Sequence, residues 1–189
     1  MNENDTTLYE NMTVPLSEIA EIARLFQRAR VNARDLILYD DPADIQKAYA
    51  EVQEYLNQID TYAESFEKTI IQDDVRQYFN VFQEVMGNFR DDIDELLKIS
   101  LENRDDEAFA FTKGDLQESA DDVRETIDKL VELKVNGAKN QSETNDAAAE
   151  TAMITMVVVV VVAMCIAITL GIFISRIISK PIAKVAIAA

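Results

Sequence analysis

Residues 75–96, VRQYFNVFQEVMGNFRDDIDEL, carry an apolar side chain at every third or fourth position. These positions are Val75, Phe79, Phe82, Met86, Phe89, Ile93 and Leu96. The spacing places them on one face of an α-helix, and that face has to be buried against other helices. Polar breaks at 72–74 and 104–106 bound the stretch, and an Asp of the first break can cap the helix, which we expect to end near residue 103.

Three further stretches have the same spacing and predict helices at 6–39, at 43–70 and from about 107 onward. The inward positions of the first are Met12, Leu16, Ile19, Ala23, Phe26, Arg30, Ala33 and Ile37. Those of the second run from Ile45 to Ile70, and those of the fourth from Leu116 to Leu130 and on to Lys134. Short breaks between long helices favour antiparallel neighbours. We therefore predict an all-α, antiparallel up-down four-helix bundle.

The fourth helix has no stop signal before residues 153–174, MITMVVVVVVAMCIAITLGIFI, which contain no charged side chain. A helix of this length spans roughly 33 Å, enough for the apolar core of a bilayer. Gly114 and Gly137 are expected as tolerated glycines inside the helix. The predicted organisation is an outer bundle at 1–150, a transmembrane helix at 151–174 and a separate segment at 175–189.

Charge predicts the orientation of this span. Arg176, Lys180 and Lys184 follow it without any acid, whereas Glu143 and Glu150 precede it. The positive-inside rule places the C-terminus in the cytoplasm and residues 1–150 outside the cell membrane. Residues 1–20 lack the basic and apolar regions of a signal peptide. We therefore expect another apolar helix before Met1 in the parent protein.

Composition excludes several kinds of function. The net charge is −17, and all 35 acidic residues lie within 1–150, so binding to nucleic acid is not expected. The chain has no His and one Cys, which argues against an enzyme built on His-dependent nucleophilic catalysis and against a zinc site. We expect no cofactor and no metal.

Three segments near the N-terminus resemble the first helix of the four-helix-bundle sensor domain of methyl-accepting chemotaxis proteins. They are LYENM at 8–12, VPL at 14–16 and RVNARD at 30–35. Directly after the span, SRIISKPI at 175–182 resembles the opening of a HAMP domain, the coiled coil that relays signals from a membrane helix. The resemblance covers about residues 1–185. It implies that 175–189 is the start of HAMP, where Arg176 and Pro181 would take part in signal transmission.

The resemblance implies a homodimeric chemoreceptor in the lipid bilayer of the cytoplasmic membrane. Such a receptor senses a small extracellular molecule, either directly or through a periplasmic binding protein. It passes a small displacement of the last helix to HAMP. Longer members carry a cytoplasmic coiled coil that is methylated and controls the chemotaxis kinase complex. Neither the methylation segment nor the kinase-contact tip is present in these 189 residues.

The aspartate and serine receptors of the family hold the ligand carboxylate with arginines of helix 1 and a threonine of helix 4, across the dimer interface. The matching region here carries Arg24, Arg28, Arg30 and Arg34, in two pairs spaced by four residues. Paired guanidiniums suit a carboxylate, because their planar fork binds it through two hydrogen bonds. The candidate ligand-binding residues are Arg30, Arg34, Arg28, Thr112 and Gln117, and the candidate ligand is an organic acid or amino acid.

The sequence is also compatible with three alternatives. Arg30 falls on the apolar stripe, so a salt bridge to an acid of a neighbouring helix would also explain it. The same sensor could serve a histidine kinase or a cyclic-dinucleotide enzyme, since HAMP feeds all of these outputs. A coiled-coil anchor without sensory function would give Arg30 no ligand.

Overall fold

The computed structural model describes the backbone of residues 14–187 and the side chains of residues 14–174. This part of the chain is helical apart from short connections and contains no strand. The helices are α1 (Val14–Ala33), α2 (Pro42–Glu67), α3 (Asp73–Leu101), α4 (Asp105–Lys113) and α5 (Asp115–Ile187), with a short 3₁₀ helix at Arg34–Ile37. The chain forms two compact units, Met1–Gln141 and Ser142–Ala189. The all-α four-helix-bundle prediction is confirmed, with α4 and the first part of α5 together forming the fourth helix.

The core of the first unit contains the apolar faces predicted for three helices. All seven inward positions of α3 are buried, as are Leu116, Ala120, Val123, Ile127 and Leu130 of α5. In α2 the buried face includes Ala48, while Tyr49 lies at its edge with its hydroxyl donating to Asp94 of α3 over 2.7 Å. Phe26 of α1 meets Phe89 of α3 edge to face at 5.0 Å between ring centroids. Aromatic residues at this spacing are therefore core, as their periodicity predicts.

The buried face of α1 is rotated from the predicted one. Its buried residues are Pro15, Ile19, Ile22, Leu25, Phe26, Ala29 and Ala33. Ala23 is only partly buried, and Arg30 is half-buried at the edge of the face. The prediction that Arg30 lies on the apolar stripe is wrong. Two overlapping stripes exist in this helix, and the one containing Ile22 and Ala29 buries small and branched residues without a charge. Met12 lies outside the described residues.

The breaks between helices follow the polar clusters. Asp41 caps α2 by accepting a hydrogen bond from the Ala43 amide over 2.8 Å, and Pro42 takes the first helical position. The predicted Asp cap of α3 is wrong, because Gln72 is the residue before the helix and its side chain makes no cap hydrogen bond. Asp73 and Asp74 lie in the first turn instead, where negative charge is favourable.

The expectation of an unbroken fourth helix is wrong at Gly114. The helix stops at Lys113, Gly114 adopts φ −101° and ψ −104°, and a new helix starts at Asp115. The Gly114 amide donates to the Ala110 and Phe111 carbonyls, so the interruption is a single residue. Thr112 and Gln117 consequently belong to two different helices.

The second unit contains the apolar segment of α5. It is the helix, among the described residues, that is long and apolar enough to cross a membrane, and its most apolar window has a mean hydropathy of 3.2 with none of it buried. Thr155 and Thr169 donate to the Thr151 and Cys165 carbonyls four residues earlier, so both hydroxyls have a hydrogen-bond partner within the helix, as a membrane-spanning helix would need. The side chains of Arg176 and Pro181 lie outside the described residues, and their role stays a prediction.

Candidate functional site

The candidate site lies at the end of the bundle where α1 gives way to the 3₁₀ helix. Arg30 is in the last turn of α1 and Arg34 opens the 3₁₀ helix. Across from them, Thr112 lies in the last turn of α4 and Gln117 in the first turn of α5. The interruption at Gly114 brings these two helix ends to the same level of the bundle. Arginines at the C-terminal end of a helix are also favoured by its dipole.

Two adjoining cavities connect these residues. The smaller, 40 Å³, lies between Arg30, Arg34, Thr112 and Gln117, with Phe89 and other core side chains as its floor. The larger, 420 Å³, shares Arg34, Thr112 and Gln117 with it. The structure thus brings together four of the five candidate ligand-binding residues that the sequence analysis identified.

Neither arginine of the site forms an ion pair with an acid of residues 14–174. Among the described residues Arg30 forms no ion pair; its guanidinium lies 3.4 Å from the Gln27 side-chain oxygen and 5.9 Å from the Phe26 ring centroid. The alternative explanation of Arg30 by a salt bridge is therefore not supported within residues 14–174. Arg34 is exposed and likewise has no ion pair in that range. The guanidinium groups of both arginines can therefore bind an anion.

The polar residues opposite them offer hydrogen-bond acceptors. The Thr112 hydroxyl donates to the Ala108 carbonyl over 2.8 Å, so its oxygen can accept another hydrogen bond. The Gln117 amide nitrogen donates to an Asp121 carboxylate oxygen over 2.7 Å, and its carbonyl oxygen is the atom that can serve a ligand. A ligand amine or hydroxyl would suit these acceptors.

Arg28 is the one candidate that lies elsewhere. It lines neither cavity, and its guanidinium lies 6.0 Å from the Tyr55 ring centroid of α2. Arg24 is engaged with Glu21 at 2.6 Å. Because residues 28 and 30 are two positions apart, their side chains leave α1 on different faces.

Four residues that line the larger cavity were not predicted as site residues: Ile37, Leu38, Phe109 and Lys113. Lys113 lies 5.2 Å from the Phe109 ring centroid. A sequence signal existed for Phe109, since it is a large aromatic residue off the apolar stripe that starts at Leu116. Nothing in the sequence indicates that the 37–38 turn would face it.

Another cavity has the opposite electrostatic character. It measures 680 Å³ and lies between α3 and α5, where four carboxylates and one Lys line it. Such a wall repels an anion. No group of three or more acidic or Cys side chains suited to a metal ion occurs among the described residues.

The described residues thus form a helical bundle with Arg30 and Arg34 at one end, joined in sequence to a helix that is long and apolar enough to cross a membrane. The family model described as "Four helix bundle sensory module for signal transduction" matches residues 1–149. The chain therefore belongs to the four-helix-bundle sensory modules, as the resemblance to chemotaxis receptors implies. A comparison with curated proteins found no match.

Proposed function

We propose that the chain is the sensor and membrane portion of a chemoreceptor that binds a small anionic molecule directly at the Arg30–Arg34 end of the bundle. In this proposal the organic acid or amino acid lies between α1 and the α4–α5 junction. Residues 1–150 face the outside, and the module is homodimeric and non-catalytic.

The observation that carries this proposal is the placement of Arg30 and Arg34 around adjoining cavities, with no carboxylate partner for either among the side chains that the structure describes. A charged side chain that is half-buried has a free-energy cost unless it is solvated or paired. A bound carboxylate would supply the pair through charge-assisted hydrogen bonds. Direct sensing is thus favoured over a periplasmic binding protein, which would need no cavity.

Signal transmission in this proposal uses the α4–α5 junction. A ligand that contacts Thr112 and Gln117 holds residues on both sides of Gly114. Its binding would favour one placement of α5 relative to α1, and a ligand shifts an equilibrium only through such differential contacts. The shift would pass along α5 to HAMP from residue 175, and the cytoplasmic partner would be the chemotaxis kinase complex.

The test is thermal unfolding of the full chain in lipid nanodiscs with a panel of carboxylates and amino acids. A ligand at 100 times its Kd should add about 2.7 kcal/mol to the free energy of unfolding, which raises Tm by several degrees. Arg30→Ala should abolish the shift. Arg28→Ala is the matched control, because it removes the same charge from the same helix outside the cavities, and it should retain the shift. Equal loss in both variants, or no shift with any compound, would contradict the proposal.

A further inference from the structure

The larger of the two cavities has an apolar wall. Ile37 and Leu38 leave the end of the 3₁₀ helix on one side, and Phe109 of α4 stands on the other. Leu38 is 70% exposed and Phe109 56% exposed, so both leave much apolar surface in water. Single exposed apolar residues are ordinary on protein surfaces. Here they converge on one cavity of 420 Å³, a volume typical of small-molecule sites.

The same cavity is positively charged. Arg34 and Lys113 line it, Arg30 lies in the adjoining smaller cavity, and no Asp or Glu among the described residues lines either. Lys113 contacts the Phe109 ring and forms no ion pair within residues 14–174. In a chain with a net charge of −17, three cationic side chains and no acidic one among the described residues that line the two cavities are a local concentration of positive charge.

We infer that the ligand of this site is an amphipathic carboxylate, an aromatic or branched aliphatic acid, and that Phe109 and Leu38 determine this specificity. The inference rests on the proposed function and adds the chemical class of its ligand. The carboxylate binds between Arg30 and Arg34, and the apolar body occupies the larger cavity against Phe109 and Leu38. Lys113, an exposed residue that lines the same cavity, attracts the anion.

Compact polar acids fit this arrangement less well. Succinate or aspartate would satisfy the arginines, and a second carboxylate could reach Lys113, but neither acid has an apolar body to cover Phe109 and Leu38, so the apolar wall would stay in water. Burying a ring against these residues removes apolar surface of both partners from water. The expected gain is about tenfold or more in affinity over a carboxylate of the same charge without the ring.

The experiment is isothermal titration calorimetry of the full chain in nanodiscs, with empty nanodiscs subtracting partition of the ligand into lipid. The probes are phenylacetate, acetate, succinate, aspartate and neutral phenylacetamide. We expect phenylacetate to bind at least tenfold more tightly than acetate or succinate, and phenylacetamide not to bind. Phe109→Ala should remove the advantage of phenylacetate, whereas Val31→Ala, an exposed apolar residue of α1 outside both cavities, should retain it.

The outcomes separate this inference from the proposed function. If succinate or aspartate binds through Arg30 and phenylacetate is no better than acetate, the ligand class is wrong and the sensor proposal stands. If none of the probes binds, both are overturned. If, in addition, Phe109→Ala changes the oligomeric state measured by mass photometry, the apolar wall is a contact between two copies of the chain. Circular dichroism of each variant verifies that it is folded.

Discussion

Lys134 is a buried basic residue at the end of the bundle opposite the candidate site. Its side chain is fully buried, and its ammonium donates to the Thr69 carbonyl over 3.2 Å and lies 5.3 Å from the Phe66 ring centroid. Burial lowers the pKa of Lys134 from its ordinary 10.5, while the carboxylates of Glu18 and Asp74 oppose that change. Lys134 thus joins α5 to the end of α2 through a charge with a desolvation cost.

The lowered pKa predicts how Lys134 affects stability. Between the lowered pKa and 10.5, the unfolded chain holds a proton that the folded protein has released, so the free energy of unfolding rises with pH through that interval. Lys134→Met keeps the volume and removes the titration. The Tm of the native chain minus that of Lys134→Met should rise as pH increases toward 10.5, as measured by circular dichroism in detergent.

Lys129→Met is the control for this measurement. The hydrogen bond from Lys129 to Glu132, 2.8 Å long, raises the pKa of Lys129. Its contribution is therefore fully present below the unfolded pKa and is lost as pH rises through the raised folded pKa. The Tm difference for Lys129→Met should fall at high pH. A flat difference for Lys134→Met would show that its charge is solvated in the folded protein.

At the scale of the helices, substitutions at two glycines separate the intrinsic helix preference of alanine from the effect of contacts with other helices. An added Cβ at Gly87 of α3 would meet no atom within 4 Å, whereas at Gly137 of α5 it would collide with the Gln72 side chain. Gly87→Ala should therefore raise the free energy of unfolding by about 0.5–1 kcal/mol, the usual gain inside a helix. Gly137→Ala should gain clearly less, because Gln72 must move.

A double-mutant cycle measures this coupling. Combining Gly137→Ala with Gln72→Ala removes the collision, so the alanine should then give the gain seen at Gly87. Chemical denaturation of the four variants supplies the free energies. If Gly137→Ala alone already equals Gly87→Ala, Gln72 moves without cost and the close approach has no energetic weight.

The buried faces of some helices could be predicted from the sequence pattern, and those of others could not. The face of α3 was predictable in full, because its apolar residues form one stripe without a competing one. The face of α1 was not, because Ile22 and Ala29 form a second stripe beside Phe26, and only the packing of neighbouring helices chooses between them. The interruption at Gly114 was not predicted, because a glycine inside a helix and a glycine at the end of a helix look alike in sequence. At the site, Arg30, Arg34, Thr112 and Gln117 could be predicted, whereas Leu38 and Lys113 depend on contacts between distant segments.

At the scale of the whole molecule, the distribution of charge along the sequence predicts on which side of the membrane the cavities lie. The chain is acidic before the apolar span and basic after it, so the positive-inside rule predicts that residues 1–150, with Arg30 and Arg34, lie outside the cell. In a Cys165→Ala background, Ala148→Cys should react with a membrane-impermeant maleimide in intact cells, and Ser179→Cys only after permeabilisation. The reverse pattern would place the Arg30–Arg34 cavities in the cytoplasm. The ligand would then be an intracellular acid, and the proposal of an extracellular chemoreceptor would be wrong even if the carboxylate binds as expected.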